Sequence, residues 1–187
     1  MAKTPVKIFQ EKELSVLRGT AKPVALKEIG KRKIKKIIAD MKRALASQED
    51  GVAIAAPQIG VPMRIFVVSG KVKAIILKED ETKTKYPDEV FINPKIVRSS
   101  KEKQIMEEGC LSVRWLYGKV KRANKVKMEA FDERGRKVRR GASGLLAQVF
   151  QHEIDHLDGK LFTDTAKDLH KWMPKTKGIR KELKSQK

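Results

Sequence analysis

The chain has 187 residues, 40% of them hydrophobic, which is enough for one domain with a real core and short for two. Lys and Arg number 43 against 23 Asp and Glu, and the formal net charge of +20 predicts attraction to polyanions such as RNA, the ribosome or an anionic membrane, with plain solubility as the alternative. No apolar run reaches the roughly 18 residues of a membrane span, the opening MAKTPVKIFQEKEL lacks the apolar stretch of a secretory signal, and its acids Glu11 and Glu13 argue against a transit peptide, so a cytoplasmic protein is expected.

Residues 31–47 carry Ile34, Ile37, Ile38, Met41 and Leu45 at helical spacing, with Lys31, Arg32, Lys35, Lys36, Lys42 and Arg43 on the opposite face. This predicts an amphipathic surface helix whose basic face is either solvated or a nucleic-acid contact. The stretch GVAIAAPQIG, 51–60, is too rich in Gly, Ala and Pro for a regular element and too apolar for an exposed loop. MRIFVV (63–68) and AIIL (74–77) read as short strands, and the polar KEDETKTKYPDE (78–89) as a connection that a hairpin could span. VFINPKIV reads as a strand broken at Pro94, and KQIMEEGCLSV leads through Gly109 to the only cysteine, Cys110. A single cysteine excludes an intramolecular disulfide and fits a reducing compartment.

Around DERG (132–135), KVKMEAF and RKVRR alternate apolar and charged residues as a half-exposed antiparallel hairpin does. Ser143 is placed to cap a helix carrying Leu145, Leu146, Val149, Phe150, Ile154 and Leu157, which Gly159 would end. It is the most apolar helix of the chain and is expected in the core. From Ala166 to Lys187, eight Lys or Arg oppose only Asp168 and Glu182, which predicts a basic, partly helical or disordered tail (167–187) after a catalytic domain (1–166).

The buried helix contains QHEIDHLDG, 151–159. At about 100° per residue, His152, Glu153 and His156 converge on one side, so two imidazoles can hold a metal while the carboxylate reaches its water. A helix with two merely satisfied histidines has the same pattern. Metzincin proteases extend the motif to a third histidine, but Phe162 stands there; thermolysin-like proteases use a downstream Glu, and here only Glu182 in the basic tail is available. His170 lies in that tail and reads as a solvated surface residue. Cys110 is the one soft ligand available, and a thiolate with two imidazoles suits Fe(II), Zn(II) or a neighbouring divalent metal.

Three segments, GVAIAAPQ, EGCLS and QHEIDH, occur in that order, and in them the chain resembles the peptide deformylases, whose signatures are G-x-G-[IL]-A-A-x-Q, E-G-C-L-S and Q-H-E-x-D-H. The similarity runs from about Val6 to about Asp164. It implies an α+β fold of mostly antiparallel strands around a central buried helix bearing the HExxH motif, preceded by the amphipathic helix. It further implies a divalent metal, Fe2+ natively with Zn2+, Ni2+ or Co2+ as substitutes, on Cys110, His152 and His156. Glu153 would be the acid/base, and Gln58 with the backbone N–H of Leu111 would face the formyl oxygen. The implied reaction releases formate from the N-formylmethionine of nascent peptides at the ribosome, which the basic tail would contact, with no membrane or DNA partner. Val52, Ala53 and Val149 are candidate substrate contacts, Val149 having core packing as its plainer role. Asp155, Glu108 and Arg122 are candidates to support the metal ligands, Asp155 by pairing with Arg122, unless these are plain salt bridges.

Two departures from the signatures stand out. Ala53 replaces the second glycine of the first motif, so its methyl bears on φ or on peptide approach. After CLSV, where many members continue Pro-Gly, this chain reads RWLYG (114–118), whose Trp115 and Tyr117 either reshape the substrate entrance or pack on the hairpin. A metalloprotease, or an impaired ribosome- or RNA-binding homologue, are the competing classes; the filled catalytic positions disfavour the second.

Overall fold

The computed structural model describes residues 6–11, 15–80 and 83–173. Helix α1 spans Arg32–Ala46 and buries Ile34, Ile38, Met41, Ala44 and Leu45, while Lys33, Lys35 and Lys36 face water. The stripe predicted from the sequence is therefore its core face. Strands β1 (Ala53–Ala55), β2 (Ile65–Val68), β3 (Glu89–Ser99), β6 (Lys125–Phe131) and β7 (Lys137–Ser143) form one antiparallel sheet in the order β1-β2-β3-β6-β7.

Alternation along the first three strands sends Ile54, Ile65, Val67, Val90 and Ile92 to the side of α1. Ala53, Ala55, Phe66, Val68 and Phe91 face helix α3, Gly144–Leu157. With both faces covered, β2 reads as the uninterrupted apolar run IFVV, all of it buried. Phe66, Phe91 and Phe150 meet at centroid distances of 5.0, 5.9 and 5.2 Å and join the sheet to α3. A second antiparallel sheet, β4-β5-β8, comprises Lys103–Cys110, Val113–Ala123 and Lys167–Lys171. Among the described residues no helix is long and apolar enough to cross a membrane.

Several expectations are corrected. Residues 74–77 belong to helix α2, Lys71–Leu77, because β2 pairs directly with β3 and leaves the AIIL run no strand partner; helical hydrogen bonds satisfy its backbone instead. Pro94 does not break β3. Its missing N–H falls in a bulge between Ile92 and Lys95, where Asn93 takes φ 52° and its side chain bonds both Val24 N and Val24 O. GVAIAAPQIG is regular after all: β1 passes into a 3-10 turn, Ala56–Ile59, and the small side chains of Ala53, Ala55 and Ala56 let it run buried.

The β6–β7 hairpin forms as expected, its turn held by Asp132 Oδ1 accepting from the N–H groups of Arg134 and Arg136. Lys167–Lys171 is neither helical nor disordered: as β8 it pairs with β5, Tyr117 lying opposite His170. The remainder of the basic tail, 174–187, lies outside the described residues.

Candidate active site

Helix α3 begins after Ser143, which makes no side-chain cap, and ends with Gly159 at φ 73°, where a Cβ would come within 2.5 Å of the Arg18 carbonyl. One face of the helix packs in the core; another presents His152, Glu153 and His156, the imidazole centroids 4.9 Å apart. Cys110 ends β4 where its register with β5 shifts. Its Sγ lies 3.1 Å from His156 Nε2, and the ligand atoms of Cys110, His152 and His156 all lie within 4.8 Å of one another.

Gln58 arrives from the 3-10 turn. Its Oε1 accepts from Ala55 N at 2.8 Å, which turns its amide nitrogen towards Ser112 Oγ at 3.1 Å and Cys110 Sγ at 3.6 Å. Leu111 lines the same cavity and its carbonyl accepts from Gln10 Nε2 at 3.0 Å. Ser112, fully buried, also directs its backbone N–H at Sγ, 3.4 Å away. Sequence reasoning gave Ser112 no role, although it is a fixed position of the EGCLS signature.

Charge in the cluster is arranged around the thiol. Burial would push the Cys110 thiol up, but the adjacent His156 and His152 imidazoles outweigh it and bring it down to about 5, favouring the thiolate that binds metals. Burial works against protonated His152, yet hydrogen bonds to Cys110 and Glu108 hold its pKa well above the ordinary value. Glu108 Oε2 meets His152 Nδ1 at 2.9 Å. The same carboxylate receives Arg122 through Nε at 2.7 Å and Nη2 at 2.9 Å. Although burial opposes it, the Arg122 fork keeps Glu108 ionised, its pKa lowered to about 2. An ionised acceptor on Nδ1 orients the His152 ring and leaves Nε2 for a metal.

Arg122 continues through Nη1 to Asp155 Oδ2 at 2.5 Å, so one guanidinium joins β4, β5 and α3. Asp155, Glu108 and Arg122 are thus brought together in a single network, more connected than pairwise sequence reasoning expected. Gln148 and Gln151 add ties unforeseen from the sequence, to the Glu107 carbonyl and to both backbone groups of Ala123. Polar residues on a helix carry no pattern that announces such partners.

Glu153 is 4% exposed, and its Oε2, like His156 Nδ1, is a buried polar atom with no hydrogen-bond partner among the described residues. Burial pushes its pKa up to about 7 against the pull of the two imidazoles. One soft thiolate and two borderline imidazoles, with a carboxylate oxygen beside them that has no partner among the described residues, fit a divalent transition metal.

The cluster opens into a cavity of about 290 Å³ lined on one part by Val52, Ala53, Leu145 and Val149 and on another by Trp115 and Tyr117. Val149 serves both as core and as lining. Ala53 lies in a strand with no positive φ, and its methyl packs in the core cluster, so the substitution strains no backbone. His170 stays apart from the cluster, exposed on β8, where it pairs with Glu107 at 3.1 Å and stacks on Tyr117. Phe162, standing where a metzincin would have its third histidine, is buried and stacks on His152 at 6.3 Å.

The family model described as polypeptide deformylase matches residues 5–172. The chain is 42% identical over 152 residues to peptide deformylase 2 of Clostridium acetobutylicum, covering 81% of this chain and 89% of that one. It is similar to the crystal structure of a Synechococcus elongatus peptide deformylase in complex with actinonin, with a TM-score of 0.74 and 34% identity over 90% of this chain and 82% of that one. A class I type b peptide deformylase from Acinetobacter baumannii, solved with Met-Ala-Ser bound, matches with a TM-score of 0.75 and 29% identity over 88% of this chain and 99% of that one.

Proposed function

The chain belongs to the polypeptide deformylase family and is an enzyme that removes the formyl group from new polypeptides, and we propose that it does so with Glu153 as acid/base beside a metal held by Cys110, His152 and His156. The observation that carries this reading is one cysteine sulfur and two imidazoles gathered within 4.8 Å, with a buried carboxylate oxygen beside them that has no partner among the described residues. A divalent cation held there supplies Lewis-acid activation of water near neutral pH. Iron(II) is the proposed native ion, with zinc, nickel or cobalt as substitutes, since all are compatible with one sulfur and two nitrogen ligands.

The chain's own residues supply the rest. Water adds to the formyl carbon of the N-formylmethionine, the C–N bond breaks, formate leaves, and the amine nitrogen gains a proton. Glu153 Oε2, which has no competing partner among the described residues, takes the proton from the attacking water and returns it to the amine. Gln58 keeps its NH2 group aimed at the site because Ala55 fixes its oxygen, and with the N–H of Leu111 it stabilises the charge developing on the formyl oxygen. Val52, Ala53 and Val149 receive the methionine side chain. Glu108, Arg122 and Asp155 hold the His152 ring in place. The protein works in the cytoplasm on chains leaving the ribosome, which its basic C-terminal residues contact.

The Acinetobacter relative was captured with Met-Ala-Ser, so formyl-Met-Ala-Ser is the apt substrate. Protein purified without air is expected to release formate from it while leaving casein uncut. Cys110→Ala should lose most of its bound metal and His170→Ala should keep it. Equal metal content in the two variants would sink the ligand assignment, and casein cleavage would point to a protease.

A further inference from the structure

Strand β5 departs from regular pairing beside the site. Gly109 faces Tyr117 and Cys110 faces Val113, so Arg114, Trp115 and Leu116 have no partner on β4, while Leu116 still pairs with Lys171 of β8. Bulges of this kind re-aim side chains. At its centre Trp115 takes φ 65°, a left-handed conformation that a bulky aromatic residue adopts only when its surroundings enforce it. Those surroundings are on both sides. Arg114 N donates to Gln10 Oε1 at 3.3 Å, and the Trp115 carbonyl accepts from Trp172 N at 3.0 Å. Arg114 also pairs with Asp50, a fellow lining residue of the cavity, at 2.6 Å and bonds Gln48, while its guanidinium lies 5.2 Å from the Trp115 ring centroid.

Tyr117 is held as firmly. Its ring lies over Gly109, where any Cβ would approach to 2.5 Å, and Trp172 meets it edge-on at 5.8 Å. Both Trp115 and Tyr117 line the cavity that holds Cys110 and Glu153. Neither is needed to build the metal cluster, and neither belongs to the apolar wall of Val52, Leu145 and Val149.

We propose that Trp115, backed by Tyr117, forms an aromatic wall that selects peptides with an aromatic side chain at the residue following the formylmethionine. Successive side chains of an extended peptide point to opposite sides. With the methionine against the wall of β1 and α3, the next side chain turns to the part of the cavity that β5 supplies. There a planar, partly buried indole offers stacking to an aromatic ring and little to a small or acidic side chain. The preorganised backbone spares the ordering cost that a mobile loop would incur.

The inference rests on the deformylase reading, and the test separates the two. Formate release is measured for formyl-Met-Phe-Ser and formyl-Met-Ala-Ser with the metal-loaded full chain and with Trp115→Ala and Trp115→Gly. The glycine variant removes the ring while relieving the positive φ, so it guards against simple misfolding. In each protein only the ratio of the two kcat/KM values is read, which cancels differences in the folded or metal-loaded fraction. Wild type should favour the Phe peptide by about tenfold, within the range that one apolar pocket contact supplies, and both variants should bring the ratio to within about twofold of unity. A wild-type ratio near one, or a preference that survives in Trp115→Gly, overturns the aromatic wall and leaves the deformylase reading standing. Absence of formate from both peptides in every protein overturns the reading beneath it.

Discussion

Glu153 combines two properties that seldom coincide: it is buried, and one of its oxygens has no hydrogen-bond partner among the described residues. A buried carboxylate of this kind costs stability unless something else compensates it, so its retention argues for a role in the reaction. Because Cys110, His152 and His156 already provide three ligand atoms, Glu153→Gln should keep its metal. Its formate release should fall by about 10² to 10⁴, since an amide cannot take and return a proton. Metal analysis and turnover on the same preparation check both halves, and near wild-type turnover would remove Glu153 from the role. Much of this was legible in the sequence. Helical periodicity alone brings residues 152, 153 and 156 to one side, and the single thiol narrows the search for a soft ligand. Trp115 was legible only as a bulky residue near the site. Its left-handed backbone depends on Gln10 and Trp172, residues distant in sequence that no local pattern links to it.

Arg122 shows how elements, rather than residues, hold the site in register. It is 8% exposed, lies on β5, and joins Glu108 of β4 to Asp155 of α3. Glu108 in turn holds His152. Arg122→Ala leaves one carboxylate buried and another partly buried without their cation, and breaking a buried network in this way costs on the order of 3–5 kcal/mol. It also frees the His152 ring, and removal of such support lowers metal affinity about 10- to 100-fold. Denaturant unfolding together with competitive metal titration should show both effects, and a variant as stable as wild type with unchanged metal affinity would make the network incidental. The elements legible from sequence were those whose own pattern determines them: α1 and α3 by their apolar stripes, β6 and β7 by alternation around a tight turn. AIIL was misread because four apolar residues have no period, and the partner that decides between strand and helix lies elsewhere in the chain. β8 was misread because its exposed, charged sequence resembles a tail, while its order comes from pairing with β5.

At the scale of the whole molecule the net charge of +20 is too large to be set by the active site, and it bears on where the enzyme works. The exposed lysines of α1 contribute one basic surface. Residues 174–187, outside the described residues, add the cations Lys175, Lys177, Arg180, Lys181, Lys184 and Lys187 against Glu182 alone. If this segment contacts ribosomal RNA, binding must release counterions, and the affinity must fall steeply with salt. The truncation that tests this is dictated by the fold. Cutting at residue 167 would also remove β8 and Trp172, which pair with β5 and steady Tyr117 beside the cavity, and would confound binding with catalysis. Ending the chain at Met173 spares both while removing six cations and one anion, which lowers the net charge to +15. The shortened enzyme should bind ribosomes more weakly and with a shallower dependence of log affinity on log salt, by up to about 0.7 for each phosphate that the tail no longer neutralises. Its formate release from formyl-Met-Ala-Ser should stay within about twofold of the full chain, because the metal cluster and the cavity lining all lie before residue 174. Ribosome affinity and salt slope that are both unchanged by the truncation would move the contact to α1 or remove it altogether; a matching drop in peptide turnover would mean that the tail serves the active site instead.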